Sequence, residues 1–478
     1  MAGDDLFFST VGELSQRLRT RDISAKEIVK AFGDRLAEFG PRYNALALPL
    51  TQSAMKAAHD VDGDIKLQRF RSPLQGIPWG AKDLLSLKKT TTTWGAKPYE
   101  NQVFDYTATA IEKAEKKGAL LLGKLAMVEL AGGPMGYHSA AASLTGPGLN
   151  PWDTTRWSGG SSSGSAIAVA AGLVTFALGS ETVGSILTPC SFCGVTGLRP
   201  TYGLVSRYGA MPLSWTMDKI GPIGRSAEDC GLVLEAIAGG DEKDSGSAGK
   251  SFYYAPQYAR DLKEIHAGFA AVDFEEWAEP AARADFAKAL ETLRGMGLQM
   301  APAKLPEFPY GAMVTTILAG EAVSVFEPLV ASGKVNELAD AKQIAGFHAA
   351  MELPAKEYLK AMRLRSALQM AMRELLSDID VLIAPARPGP AGKITDSLDG
   401  PRDSNRTLPK DPGLTALIAA GNLAGLPALV LPCGFADGMP IGIQIVGRAF
   451  TENTLLAIGK EFQNRTDWHK RRPPMGTA

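Results

Sequence analysis

The stretch from Trp157 to Pro200 reads WSGGSSSGSAIAVAAGLVTFALGSETVGSILTPCSFCGVTGLRP, and it constrains the fold more than any other part of the chain. SGSAIAVAAGL is small and apolar on nearly every side, as a helix buried all round must be. TFALGS reads as a short buried strand that leads into a Gly-containing turn. Two Gly/Ser-rich turns bracket this pair and carry Ser161 and Ser185, 24 residues apart. Strand and helix signals alternate from ALLLG, near residue 119, to residue 223, which points to an α/β protein.

Other elements follow from local chemistry. Thr10 with Glu13, and Ser24 with Glu27, have capping-box spacing and open two amphipathic helices. Ile28, Val29, Phe32 and Leu36 share one face of the second, and Gly40-Pro41 is expected to stop it. A third helix is expected over 107–117, with Gly118 as its terminator. Residues 239–249, GGDEKDSGSAG, read as a solvated linker. About 250–375 is helix-rich and reads as a cap-like subregion, after which DVLIAPA and PALVLPCGF return as strands. Residues 389–412 read as a long surface loop near the pocket. The expected organisation is an N-terminal helical segment, 1–70, packed on a core of 71–478.

Composition narrows the function classes. A chain of 478 residues, 45% hydrophobic and 21% charged, suits a globular protein with a large core. A net charge of −1 gives no electrostatic footprint for direct nucleic-acid binding. The N-terminus lacks the regions of a secretory signal, and no segment reads as long and apolar enough to cross a membrane. A cytoplasmic protein is expected, with Cys190, Cys193, Cys230 and Cys433 reduced and mostly buried. A monomer or homodimer is expected.

Well upstream, GIPWGAKDLL places Lys82 as the one cation in a run of small and apolar residues. A lysine, two serines and glycine-rich backbone make a minimal kit for acyl transfer without histidine. None of the five histidines sits in a histidine-base motif, and no G-x-S-x-G elbow occurs in a strand–turn–helix context. Taken by itself, Lys82 reads more simply as a surface lysine with inward-facing neighbours.

GGSSSGSAIAVAAG, ALGSETVGSILTPC and FCGVTGLRPTYGLVSRYG resemble, in order, the signature text of the amidase signature family. LLLGKLAMVELA, NPWDTTR, GNLAGLPALVLPCGF and PIGIQIVGRAFTENTLL extend the resemblance over most of the chain, and it weakens between about residues 240 and 380. The resemblance implies the amidase signature fold, a mixed central β-sheet covered by helices on both faces. It also implies a Ser–cisSer–Lys relay, with Lys82 as base, Ser161 as bridge beside a cis peptide, and Ser185 as nucleophile. The oxyanion hole would be backbone N–H groups of Thr182, Val183, Gly184 and Ser185. No metal or organic cofactor is implied.

Four positions depart from the family pattern. Glu181 stands for an aspartate, Val183 for a glycine, Leu187 for an arginine and Ser163 for a glycine. Valine would be strained if its position needed positive φ, and Glu181 would lack a partner and be solvated or bonded to backbone. Met135, Gly136, Tyr137 and Gly160, from the loops lining the site, and Tyr208 and Trp215 after the signature are candidate substrate contacts. For the aromatics, plain packing is the competing reading.

The substrate is expected to be a small uncharged amide, anilide, ester or carbamate (urethane), cleaved through a covalent acyl-enzyme. The position where glutamine-using relatives carry an aspartate holds Thr415, although Arg365 matches an arginine that holds the glutamine carboxylate. The alternatives are a glutamine-hydrolysing A subunit of a tRNA-dependent amidotransferase complex, and a non-catalytic scaffold.

Overall fold

Thr10 and Ser24 each close the expected capping box, so α1 (Val11–Thr20) and α2 (Ala25–Arg42) begin where their sequences direct. Ile28, Val29, Phe32 and Leu36 are all buried. Gly40-Pro41 does not stop α2: Pro41 lies within its last turn and the helix runs to Arg42. The computed structural model describes residues 4–399 and 413–474, so residues 400–412 of the expected surface loop lie outside the described part.

The strands are β1 (Leu46–Pro49), β2 (Pro78–Lys82), β3 (Leu120–Leu125), β4 (Leu149–Asn150), β5 (Asp153–Trp157), β6 (Phe176–Glu181), β7 (Thr196–Arg199), β8 (Lys219–Gly224), β9 (His266–Phe269), β10 (Gln299–Pro302), β11 (Val381–Pro385), β12 (Ala428–Ala436) and β13 (Met439–Gly447). Eleven form one mixed sheet in the order β1-β3-β2-β6-β8-β7-β12-β13-β11-β9-β10, and β4 pairs with β5 separately. The remaining helices are α3 (Thr51–Lys66), α4 (Thr109–Lys116), α5 (Ser163–Ala170), α6 (Leu187–Cys193), α7 (Ala227–Ile237), α8 (Pro280–Gly295), α9 (Tyr310–Ala331), α10 (Ala341–Met351), α11 (Ala355–Asp378), α12 (Leu417–Ala424) and α13 (Glu452–Arg465). They flank the sheet, which is the expected α/β architecture.

Strands β3, β2 and β6 run parallel as neighbours. All five residues of β2 and all six of β6 are buried, which explains their continuous apolar text. Every residue of α5 is buried too, and the helix packs on β6, β2, β3 and β8. Lys82 ends β2, and Ser180 lies one residue before the end of β6. Both therefore stand at the carboxyl ends of parallel strands, where open α/β sheets place their sites.

Three expectations change. The helix-rich stretch also supplies β9 and β10, which extend the main sheet next to β11. Each is only four residues long, too short for periodicity to separate from a loop. Residues 239–249 are docked rather than a free linker: Asp244 is buried against Arg207, and Asp241 accepts from the Thr109 and Ser206 hydroxyls. Finally, α9 is long and apolar enough to span a membrane by length and composition. Here eight of its residues, among them Met313, Ile317, Glu321 and Phe326, are buried within the protein.

Candidate active site

Lys82 is fully buried, with Nζ 2.7 Å from Ser161 Oγ and 3.0 Å from both Ser162 Oγ and Ser180 Oγ. Ser162 donates its own hydroxyl proton to the Ser180 carbonyl, so towards Lys82 it accepts. That leaves the amine lone pair to the Ser161 or Ser180 hydroxyl. Burial lowers the Lys82 pKa to about 7, against the pull of Asp218 and Glu181, so a large neutral fraction exists near neutrality.

The adjacent acid does not disturb this arrangement. Asp83 is directed elsewhere, as alternation along a strand requires, and forms a buried pair with Lys124 at 2.8 Å. Lys124 also donates to the Thr92 hydroxyl.

The peptide bond Gly160–Ser161 is cis. The N–H of Ser162 donates to the Ser185 carbonyl at 3.3 Å, which ties the two serine turns together. Ser185 sits on the turn between β6 and α6 and is nearly buried. Positive φ in this turn falls on Gly184, at 86°, and not on Val183, so valine is unstrained there. Among the described residues, the N–H groups of Val183, Gly184 and Ser185 meet no backbone or side-chain acceptor outside helices and strands.

The other departures are absorbed locally. Glu181 is neither solvated nor unpaired: Arg199 Nη1 donates to it at 2.9 Å and Asn422 Nδ2 at 2.8 Å. Its second oxygen accepts the N–H groups of Ile186 and Leu187. Arg199 and these bonds hold the buried carboxyl below its ordinary pKa, although burial opposes them. The Ser163 hydroxyl reaches the Ala126 carbonyl, and Leu187 faces the core.

Two participants were not singled out from the sequence. Asp218 accepts from the Thr182 hydroxyl at 2.6 Å and from the N–H groups of Leu213 and Ser214. Ser180 completes the Lys82 environment. Asp218 sits in no local motif and comes near Thr182 through the pairing of β8 with β6, while Ser180, although inside ALGSETVGS, meets Lys82 because β6 pairs with β2.

The candidate substrate contacts divide. Tyr137 donates to the Gly160 carbonyl at 2.9 Å, and its hydroxyl lies within reach of Ser185. Burial pushes its pKa up to about 12. Met135 instead packs beside Gly346 of α10, and Gly136 takes a positive φ of 84° in open space. Tyr208 and Trp215 line a cleft of about 250 Å³ that reaches Ser180, Thr182 and Asp218. Arg365 is not an exposed helix residue: it donates to the Leu423 carbonyl and to both oxygens of Thr216. The four cysteines are buried and unpaired.

The amidase family profile matches residues 27–456 of the chain. The chain belongs to the amidase signature family. The A subunit of the glutamyl-tRNA(Gln) amidotransferase from a Synechococcus strain is 35% identical to it, over 98% of this chain and 94% of that protein. The peptide amidase of Stenotrophomonas maltophilia superposes with a TM-score of 0.83 at 28% identity, over 98% of this chain and 99% of that one. A protein solved in a study of a vestigial complex behind an s-triazine catabolic enzyme gives 0.86 at 29% identity, over 96% and 98%. This amidase signature protein thus shares fold and family with hydrolases of C–N bonds.

Proposed function

We propose that the protein hydrolyses the C–N bond of a small amide through Ser185, Ser161 and Lys82. The carrying observation is the buried Lys82 amine, 2.7 Å from the Ser161 hydroxyl. Neutral Lys82 takes the Ser161 proton as Ser161 takes that of Ser185. Ser185 Oγ bonds to the carbonyl carbon, and the N–H groups of residues 182–185 receive the charge developing on oxygen. The relayed proton passes to the leaving nitrogen as the C–N bond breaks. Water then cleaves the acyl-enzyme and restores the Ser185 hydroxyl. In this reading Tyr137 and Gly160 border the acyl group, and the helices of about 250–375 cap the cleft over the core of 71–478.

Two substrate readings compete. The curated relatives weigh towards glutamine hydrolysis as the A subunit of an amidotransferase complex. A stand-alone hydrolase of neutral amides, esters or carbamates is favoured by Arg365, whose guanidinium is committed to Thr216 and Leu423 rather than free to grip a carboxylate. Purified chain should be assayed against glutamine, an aryl amide, a p-nitrophenyl ester and an aryl carbamate, each with Ser185→Ala as control. Turnover of neutral substrates, lost in the variant, is expected. Turnover of glutamine alone would establish the amidotransferase reading, and activity surviving in Ser185→Ala would refute the proposed nucleophile.

A further inference from the structure

Trp215 combines an exposed ring with an immobilised backbone. Its side of the cleft is open, and the residue is 42% exposed. Its carbonyl accepts from the Tyr202 hydroxyl at 2.7 Å and also from the Arg207 guanidinium. On one side, Ser214 donates its N–H to Asp218 and its hydroxyl to Glu321. On the other, Thr216 is held by Arg365 and by Glu321, which Tyr358 also holds. Glu321 itself is fully buried in the middle of α9. Helices α9 and α11 thus spend buried polar groups on fixing a loop whose central aromatic ring has no packing partner among the ring contacts of the described residues.

The same cleft is lined by Tyr208, whose ring centroid is 5.5 Å from that of Tyr106 and 4.8 Å from the Lys243 ammonium. Leu84, Ala131, Met211 and Leu213 add apolar lining to the same cleft. Asp218 connects this loop to the reacting turn, since one of its oxygens takes the Ser214 N–H and the other the Thr182 hydroxyl. A ring set against Trp215 would therefore be positioned relative to Ser185 by rigid, hydrogen-bonded backbone.

We infer that Trp215 and Tyr208 form a stacking subsite for a planar aryl group of the substrate, such as the ring of an anilide or an aryl carbamate. The inference rests on the amide-hydrolase reading and deepens it. Stacked aromatic pairs gain attraction beyond the area they bury, equivalent to about 2- to 10-fold in affinity. A flexible or saturated ring of similar volume forgoes that gain.

The test is a binding comparison independent of turnover. Acetanilide and N-cyclohexylacetamide are titrated by ligand-observed NMR into the Ser185→Ala protein, with and without Trp215→Ala or Trp215→Phe. The phenyl compound is expected to bind about 2- to 10-fold tighter, the preference to vanish with Trp215→Ala, and Trp215→Phe to retain most of it. No phenyl preference, a preference that survives Trp215→Ala, or no binding of either compound would overturn the subsite. Failure of the hydrolysis panel with the preference intact would instead count against the proposed reaction alone.

Discussion

At the scale of single residues, the decisive quantity is the protonation of Lys82. A base must be neutral to take a proton, and burial brings its pKa to about 7. For a neutral substrate, kcat/KM should therefore rise from acid pH through about 7 to an alkaline plateau. A profile flat from pH ~5 to ~9 under rate-limiting chemistry would exclude Lys82 as the base. The linkage to stability has the same direction. The unfolded chain holds the Lys82 proton to a higher pH than the folded one does, so this residue's contribution to stability grows as pH rises above about 7. The three proposed relay residues were singled out through the family resemblance, and the local text alone read Lys82 as a surface lysine. The partners of Glu181 were not: Arg199 reaches it across the sheet from β7, with β8 between β7 and β6, and Asn422 reaches it from α12.

At the scale of elements, the last residue of β2 and the one after it pose two consecutive charged-residue problems with opposite solutions. Lys82 is surrounded by hydroxyls and partly neutralised, whereas the Asp83 carboxylate is paired with Lys124 from β3. Removing one partner of a buried pair strands the other charge, at a cost of about 3–5 kcal/mol. Lys124→Met should therefore lower unfolding free energy by about that much, measured by denaturant titration. An effect below about 1 kcal/mol would show that water reaches Asp83. The helices with capping boxes and the strands β3, β6, β11 and β12 follow their sequence patterns within a residue or two. Strands β9 and β10 do not announce themselves, because such four-residue strands gain their conformation from pairing, β9 with β11 and β10 with β9.

At the scale of the whole molecule, one buried carboxylate ties the start of α1 to α7, in addition to the apolar packing of the N-terminal helices on the core. Asp229 in the first turn of α7 accepts the Val11 N–H at 2.8 Å across 218 residues of sequence, and also the N–H groups of Arg225 and Ser226. Asp229→Ala would leave these donors without a partner and remove the carboxylate half of the α7 capping box, whose N-cap is Ser226. A loss of about 2–4 kcal/mol is expected, with faster amide hydrogen exchange in residues 11–20 as well as 227–237. Faster exchange confined to α7 would show that α1 is held by apolar packing alone. The same long-range logic governs the cleft, where α9 and α11 position the Trp215 loop through Glu321 and Arg365.

The sequence by itself determined the α/β class and, through ordered motifs that resemble the amidase signature, the family. The class follows from short-range patterns, an apolar helix and strand between two Gly/Ser turns, whereas Lys82, Ser161 and Ser185 as the proposed relay are what the family resemblance implies. Tertiary structure decided the charge states and the partners. Whether Lys82 is neutral depends on how completely the sheet and three serines enclose it, and whether Glu181 is paired depends on residues up to 241 positions away. Electrostatic energies in a low-dielectric interior depend on distance in space, and spacing along the chain does not encode that distance.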